Sequence, residues 1–501
     1  MSRVKLALVF LAAHLATALY FVFDRAPGTS AALVGLPLDD AWIHLVYARS
    51  LAALHGFAFN PGQLETGSTS PLWALLLVPA SWAARFFGIS VVIPAKLTGV
   101  LVAAGASLGA ARLVRCLKFG LAAELVAGLA IAADPALAFA QVSGMEIMLA
   151  GLLALWTLGA LASECYRTAS LLAALAPLAR PEMTLLSLLV LAVAEWRMHH
   201  ARASARARLL VLAPVAAFVG GWMLYCQLVS GYPLPSTFYA KFASRQEYFE
   251  RNLGTIFTQL LPSWPWFVHG TGIVLWGIGT VALFRRGLVA GVTAAFPMLF
   301  LLAVAASQLI ADPWPFYWQR YLLPAHPLLL VGLGVGATDA IEWAWHGRHR
   351  AWAPAYAIGV AVLVLGSLVD LPGALRRSAH LFAWNCQNIQ ELDVAMATWL
   401  RDHTPASESI AVTDAGAARY FADRRIVDLV GLNDHRHLHR EPARERELLG
   451  LRILSTFPSW MPSLRDNPAW QVIHRTATDR LTICTCPQWE IVAYQRRDSV
   501  P

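Results

Sequence analysis

Two adjacent aspartates, Asp39 and Asp40, follow Pro37 and precede an apolar stretch, a pattern that predicts the start of a helix. Adjacent side chains on a helix point in different directions, so the two carboxylates do not face each other. A carboxylate at the edge of a bilayer is costly to hold and is therefore a functional candidate. We expect Asp39, or failing that Asp40, to be a general base that takes the proton of an attacking hydroxyl. The alternative is that one of them only caps the helix.

Further polar residues could bind an anionic substrate. Arginine, lysine and histidine can donate charge-assisted hydrogen bonds to the oxygens of such a substrate. Arg180 interrupts the apolar stretch 168–195 at Ala179-Arg180-Pro181-Glu182, which predicts two half-helices meeting at a break. The candidate substrate-binding residues are His44, Arg49, Glu146, Arg180, Lys241 and Arg320.

These candidates have structural alternatives. Arg180 could pair only with Glu182, and Glu146 could form an ion pair with an arginine. The aromatic residues 314–318 before Arg320 are more typical of an interfacial belt than of a sugar-stacking site. Asp40 and His44 share a helix face at i, i+4, which could orient the carboxylate or help hold a divalent cation. The sequence indicates no other cofactor, and its closely spaced histidines, His435, His437 and His439, suit a mobile loop better than a metal site.

The elements that position these residues belong to two parts of different composition. The 501 residues are 57% apolar and 14% charged, which excludes a disordered chain and argues against an ordinary soluble enzyme. Charged residues occupy 31 of the 129 positions in 373–501 but only 39 of the 372 positions in 1–372. We therefore expect a membrane domain over 1–372 and a soluble domain over 373–501.

Long apolar stretches predict a mainly α, polytopic bundle of about 10–12 transmembrane spans. Residues 72–87 are short and carry Arg85, so they either cross the bilayer or lie along its surface. The stretches long enough to cross are 6–23, 91–111, 119–140, 145–163, 207–229, 266–284, 289–311, 322–342 and 351–371.

Lys and Arg collect in the short segments that the positive-inside rule places in the cytoplasm, including 112–118, 197–208 and 348–350. The outer segments are then 24–71, 133–144, 179–182, 230–265, 312–321 and the chain after 372. The candidate residues lie on these segments, apart from Glu146, which lies beside one of them at the outer end of a span. We expect an integral protein of the inner (cytoplasmic) membrane whose active site and C-terminal domain face the periplasm. The net charge of +8 reflects this topology and does not indicate nucleic-acid binding.

The C-terminal residues alternate helical and strand-like runs, which predicts a small α/β domain. Helices are expected over 387–403 and 440–455. Strands are expected over 410–413, 426–429, 472–475, 481–483 and 490–494.

An ordered set of motifs along the chain resembles the GT-C glycosyltransferases, and within them the branch of the mycobacterial terminal β-arabinofuranosyltransferase. Gly67-Ser68-Thr69 stands where that branch has Gly-Tyr-Thr. The matching runs are Asp39-Asp40-Ala-Trp-Ile, Tyr47-Ala-Arg49, Gly56-Phe-Ala-Phe-Asn60-Pro-Gly62, Thr69-Ser70-Pro71-Leu-Trp73, Ser143-Gly144-Met145-Glu146, Ala179-Arg180-Pro181-Glu182, Gly231-Tyr-Pro-Leu-Pro235-Ser-Thr-Phe-Tyr239-Ala-Lys241, Asp414-Ala-Gly416 and Ile426-Val-Asp428-Leu-Val-Gly431-Leu-Asn433-Asp434.

This resemblance implies a GT-C fold and transfer of a sugar, arabinofuranose in that branch, from a polyprenyl-phosphate donor to a cell-envelope glycan or lipid acceptor. The candidate substrate-binding residues would then contact the donor phosphate and the substrate, because a phosphate leaving group develops charge and needs positive donors that are already in place. It also implies that the C-terminal domain contacts the acceptor; a domain that only stabilises the bundle is the alternative. One base and no covalent intermediate predict inversion at the anomeric carbon. An undecaprenyl-phosphate donor carrying aminoarabinose or a hexose is the second choice of donor. A transporter or flippase of lipid-linked sugars is the alternative function, because it too would have many spans and a broken helix.

Overall fold

The computed structural model describes residues 2–23, 26–243, 271–307, 320–346, 350–441, 450–482 and 489–497. The described residues up to 368 form mainly a bundle of helices. The helices are Arg3–Phe23, Asp39–Ala52, Pro71–Leu76, Val78–Phe87, Val92–Cys116, Leu121–Ala133, Pro135–Val142, Ile147–Ala162, Tyr166–Ala179, Thr184–His200, Ala205–Ser230, Ser236–Ala243, Gly272–Arg285, Leu288–Ser307, His326–His346 and Ala353–Leu368.

Five stretches of helix in the described ranges are long and apolar enough to cross a membrane: Arg3–Phe23, Val92–Cys116, Ala205–Ser230, Arg320–Asp339 and the apolar part of Ala353–His403. The helices Leu121–Ala133 and Pro135–Val142, which meet at an angle of 63°, make a sixth candidate if the pair counts as one span. The prediction of a polytopic helical bundle is confirmed. The predicted 10–12 spans are reached only if the shorter apolar helices also cross, namely Pro71–Phe87, Ile147–Ala162, Gly272–Arg285 and Leu288–Val304.

The predicted break near residue 180 is present. The helix Tyr166–Ala179 ends at Arg180, whose backbone is extended, and the helix Thr184–His200 follows after a single 3₁₀ turn. Pro181 explains this interruption, because a proline disfavours helical backbone geometry at the residue before it. The Ser187 hydroxyl donates to the Ala173 carbonyl at 2.6 Å, so the chain reverses direction at the break.

The C-terminal part is an α/β domain, as predicted. Its sheet has the order β4-β3-β5-β7-β6, with β3 parallel to β4 and β5, and β7 antiparallel to β5 and β6. The strands are β3 (Ser409–Val412), β4 (Arg425–Asp428), β5 (Ile453–Thr456), β6 (Trp470–Ala477) and β7 (Glu490–Arg496); the helices are Leu371–Ile389, Ala395–His403, Gly416–Phe421 and His435–Leu438, with a π-helical turn over Gln390–Val394.

Two of the local predictions for this domain are wrong. The helix expected over 440–455 is wrong at its end, because Ile453–Thr456 is a fully buried strand in the middle of the sheet. Residues 442–449 lie outside the described ranges. Leu481 and Thr482 are not in a strand, and residue 483 of that prediction is not described. The domain boundary at 372 stays a prediction, since a nearly continuous helical run passes through it.

The first loop of the bundle contributes to the core of the C-terminal domain. Ile43, Tyr47 and Phe59 pack in one apolar cluster with residues of that domain, including Ile410 and Ile426. A short hairpin of β1 (Ala58–Asn60) and β2 (Gln63–Leu64) belongs to the same loop. The loop is therefore fixed from two sides, by the bundle and by the C-terminal domain.

Candidate active site

A cavity of about 450 Å³ lies where the predicted outer segments meet. Its walls come from the first loop, from the segments around residues 146, 180, 235 and 320, and from Leu432 of the C-terminal domain. The bundle thus brings together residues that are up to 392 positions apart in the chain. The acidic side chains in the walls are Asp40, Glu146 and Glu182, the arginines are Arg180 and Arg320, and the histidine is His44.

Asp40 forms an ion pair with Arg320 at this cavity. The Asp40 side chain is 33% exposed, whereas that of Arg320 is only 4% exposed. Arg320 also donates from Nη2 to the Tyr321 hydroxyl at 2.8 Å, which fixes the guanidinium plane. A carboxylate that reaches the open space of the cavity is therefore held against a buried cation.

Arg180, Glu146 and His44 form a second charged group in the same walls. The Glu146 carboxylate accepts from Arg180 Nη1 at 2.5 Å and lies 3.0 Å from His44 Nε2. Burial acts to raise the pKa of Glu146, but Arg180 and His44 more than offset it, so that the pKa is held well below its usual range. Arg180 also lies 5.1 Å from the centre of the Tyr321 ring. The ion pair with an arginine, which was the structural alternative for Glu146, is thus present in the cavity walls.

Asp39 lies elsewhere. Its carboxylate accepts hydrogen bonds from the backbone N–H groups of Gly416 and Ala417, each at 2.6 Å, at the start of the helix Gly416–Phe421. Asp39 is buried and is not part of the cavity walls. It therefore caps a helix of the C-terminal domain rather than its own helix, and its placement argues against the role of base that we expected first for it.

Arg49 is not among the residues that line the cavity. Arg49 donates to the backbone carbonyls of Tyr420 and Arg419 and lies 4.4 Å from the centre of the Tyr420 ring. It therefore attaches the first-loop helix to the C-terminal domain. Lys241 belongs to the helix Ser236–Ala243, but its side chain lies outside the described residues, so its proposed contact with the donor stays a prediction.

Three carboxylates, Asp39, Asp393 and Asp414, form the one group of potential metal ligands found among the described residues, with ligand atoms within 4.8 Å of one another. Oxygen ligands at this spacing are compatible with a divalent cation. A shared proton is the alternative, because two carboxylates form a hydrogen bond only when one is protonated. Burial raises the pKa of both Asp39 and Asp414, and the two interact directly.

The sequence reasoning did not identify the contacts that fasten the first loop. The Asn60 side-chain amide donates to the Ile426 carbonyl at 2.8 Å, and its oxygen accepts from the Ile426 N–H at 3.0 Å. The side chain thus bonds both backbone groups of Ile426, as the backbone of a neighbouring strand does in a sheet. Glu65 pairs with His435 Nδ1 at 2.8 Å. Asn60 was quoted only as part of a motif that resembles the GT-C branch, and no signal in the sequence identifies Ile426 as its partner. His435 is thus used in an ion pair, and His439 stacks on Tyr232.

Comparison with known proteins identifies the fold. Residues 383–500 match a family model described as a domain of unknown function, DUF8728. No curated protein sequence matches the chain. The fold is similar to that of ArnT from Cupriavidus metallidurans bound to undecaprenyl phosphate, with a TM-score of 0.60, 15% identity and 97% of each chain covered.

The fold is also similar to that of the Archaeoglobus fulgidus oligosaccharyltransferase in its apo form. That comparison has a TM-score of 0.56 and 11% identity, and covers 90% of this chain and 69% of the other. A further structure of the archaeal enzyme, AglB in complex with an inhibitory peptide and a dolichol-phosphate, has a TM-score of 0.51 and 12% identity. These similarities confirm the GT-C fold predicted from the motifs.

Proposed function

We propose that this protein is a membrane glycosyltransferase that transfers a sugar from a polyprenyl-phosphate donor to an acceptor hydroxyl, with inversion. The observation that carries the proposal is the cavity in which a partly exposed carboxylate, Asp40, lies beside two buried arginines, Arg180 and Arg320. A base and a pair of fixed cations are the groups that this reaction needs. A GT-C neighbour with 97% of its chain covered was solved with undecaprenyl phosphate, which supports a donor of this kind.

Asp40 is the proposed base. It pairs with Arg320, which favours the ionised carboxylate that can accept a proton. When a donor phosphate enters, it competes for the same guanidinium and leaves Asp40 free to accept the proton of the acceptor hydroxyl. The hydroxyl oxygen then bonds to the anomeric carbon as the bond from that carbon to the phosphate oxygen breaks.

Arg180 and Arg320 are the proposed partners of the phosphate. The donor phosphodiester carries one negative charge and the departing polyprenyl phosphate gains a second, so positive groups stabilise the transition state more than the bound substrate. Glu146 is a positioning residue in this scheme, since it holds Arg180 Nη1 and His44 Nε2 at 2.5 and 3.0 Å. Arg49 is removed from the proposed donor-binding set because it faces the C-terminal domain.

The finer assignments follow from the motif resemblance and the distribution of basic residues. We infer that the donor sugar is arabinofuranose, that the acceptor is a cell-envelope glycan or lipid, and that the active site and C-terminal domain face the periplasm from the inner (cytoplasmic) membrane. The C-terminal domain contributes Leu432 to the cavity, which supports contact between this domain and the acceptor. Undecaprenyl phosphate bearing aminoarabinose or a hexose remains the second choice of donor.

A flippase or transporter of lipid-linked sugars is disfavoured by the position of the charged residues. A transport site lies near the middle of the bilayer, between repeated halves. Here the charged groups of the cavity come from loops and helix ends, including Asp40 at a helix start and Arg180 at a break between helices. Such an arrangement suits a reaction at the membrane surface.

The proposal is tested with purified protein in nanodiscs and a panel of radiolabelled polyprenyl-phosphate sugars: arabinofuranose, aminoarabinose and hexoses. A crude envelope extract supplies the acceptor, and transfer is measured as label that enters acceptor material. We expect transfer from one donor of the panel, with release of polyprenyl phosphate. The reference variant is Asp370→Asn, because Asp370 is an exposed carboxylate paired only with Arg377 in the described contacts. Movement of intact donor between leaflets, without transfer, would contradict the proposal.

A further inference from the structure

A second cavity of about 450 Å³ lies between the first loop and the C-terminal domain, and it shares no wall residue with the cavity around Asp40. One wall is the turn Asn60-Pro61-Gly62 of the β1–β2 hairpin. The opposite walls carry four arginines, Arg419, Arg424, Arg425 and Arg436, against a single carboxylate, Asp423. The charged side chains that line this cavity are therefore predominantly positive.

Arg419 is a buried cation in this wall. It is only 7% exposed, and its Nε donates to the Phe59 carbonyl at 2.9 Å. Its Nη1 is buried and has no hydrogen-bond partner. Burial and the nearby Arg49 lower the pKa of Arg419 to about 10. An arginine that is buried in this way normally pairs with a carboxylate or another anion, since an unpaired charge is costly.

Arg436 also has buried N–H groups without a hydrogen-bond partner. Its Nε and Nη2 are buried and make no hydrogen bond in the described structure. Arg424, by contrast, is fixed by donation from Nη2 to the carbonyls of Arg401 and Thr404 at 2.6 Å each, so its charge is held in place. Two guanidinium groups with unpartnered N–H donors thus belong to the walls of one cavity, beside a third, that of Arg424, whose position is fixed by hydrogen bonds.

We propose that this cavity binds a phosphate group carried by a small molecule or a lipid headgroup. Arginine presents several N–H donors in a planar fork that matches the oxygens of a phosphate, and the walls contain arginine without any lysine. The guanidinium groups of Arg419 and Arg436, which belong to the cavity walls and carry N–H groups without hydrogen-bond partners, supply donors. The cavity is larger than a phosphate ion, so part of the molecule that carries the phosphate also fits.

The test is isothermal titration of the full chain in phosphatidylcholine nanodiscs with inorganic pyrophosphate, at constant ionic strength. We expect saturable binding of one equivalent, at least tenfold weaker in Arg436→Gln. Arg475→Gln is the matched control, because Arg475 lies on β6, at the opposite edge of the sheet from β4 and Arg425, and pairs with Glu490. If Arg436→Gln does not fold, Arg425→Gln replaces it, since that side chain is exposed.

Absence of saturable binding in the wild type, or equal weakening in Arg475→Gln, would overturn the proposal. Repeating the titration in phosphatidylglycerol nanodiscs distinguishes the two sources of phosphate. Apparent weakening by competition identifies a lipid headgroup, and unchanged affinity identifies a soluble phosphate compound. The assay requires no sugar transfer, so its outcome is independent of the proposed enzymatic function.

Discussion

Asp39 and Asp40 are neighbours in the chain, yet their carboxylates belong to different sites. Asp39 accepts from the N–H groups of Gly416 and Ala417 in the C-terminal domain, and Asp40 pairs with Arg320 at the cavity in the bundle. The two side chains diverge because successive residues on a helix are rotated by about 100°. One short motif therefore both docks the C-terminal domain and supplies the proposed base.

The first prediction concerns stability. Asp39→Ala leaves two buried N–H groups without an acceptor, and each unsatisfied group costs about 1–3 kcal/mol. We expect a lower apparent Tm and faster proteolysis of the C-terminal domain, measured by fluorescence-monitored melting and limited trypsin digestion. Asp370→Asn, at an exposed site, is the control and should behave as the wild type. An unchanged melting curve for Asp39→Ala would contradict the capping role.

A second prediction concerns the close approach of Gly67 to the C-terminal domain. A Cβ at this position would lie against the Leu432 carbonyl, nearer than real Cβ contacts allow, and 2.5 Å from Asn433 Oδ1. We expect Gly67→Ala to lower the apparent Tm and to reduce sugar transfer, because the loop must move away from the cavity wall. Gly220→Ala is the matched control, since a Cβ there meets no atom within 4 Å. An equal apparent Tm and an equal rate of sugar transfer in the two variants would show that the loop is not held in this position.

Arg180 supplies a third prediction. Arg180→Gln removes one of the two cations proposed to bind the donor phosphate, so the KM for the donor should rise and kcat should fall, each by tenfold or more. Initial rates at varied donor concentration measure both constants. Arg115→Gln serves as the control, because Arg115 also pairs with a glutamate, Glu124, but is 40% exposed and lies outside the cavity walls. Normal kinetics in Arg180→Gln would exclude it from the phosphate site.

The pH dependence of stability is the fourth prediction. Burial raises the pKa of Asp39 and of Asp414 above the ordinary value of 3.8, so the folded protein keeps protons that the unfolded chain has released. The contribution of these two carboxyl groups to the free energy of unfolding is therefore fully present below pH 3.8. It is lost as the pH rises through their raised folded-state pKa values. With a chelator present, the apparent Tm of the wild type should fall relative to that of Asp414→Asn as the pH is raised from 4.5 to 7.5. A constant difference between the two proteins over that range would contradict the raised pKa values.

Much of the fold is encoded in local patterns. Apolar runs and the Arg180-Pro181 break predicted the spans and the interrupted helix, and alternating runs predicted β3, β4, β6 and β7. The predicted 10–12 spans exceed the five long apolar helices of the described residues, because several other apolar helices are shorter than a bilayer requires. Ile453–Thr456 was missed since a short buried strand and a helix segment have the same apolar signature.

The site was predicted as a set of residues but not as an arrangement. Helical geometry required Asp39 and Asp40 to diverge, but only the docking of Gly416 onto the first loop determines which one reaches the cavity. Arg49 was expected near the donor because it is a cation in the first loop. Its partners are instead the carbonyls of Arg419 and Tyr420, about 370 positions away in the chain. Long-range docking of this kind leaves no periodic signal in one sequence.

Sugar transfer by Asp40→Asn tests the central claim most directly, with Asp39→Asn assayed beside it. The amide keeps the size of the side chain but cannot accept the proton, and loss of a general base costs about 10²–10⁴-fold in rate. We expect Asp40→Asn to retain the wild-type melting curve within a few degrees and to lose at least a hundredfold in kcat, while folded Asp39→Asn keeps most of its activity. Transfer at the wild-type rate by Asp40→Asn, or loss of activity confined to Asp39→Asn, would contradict the assignment of Asp40 as the base.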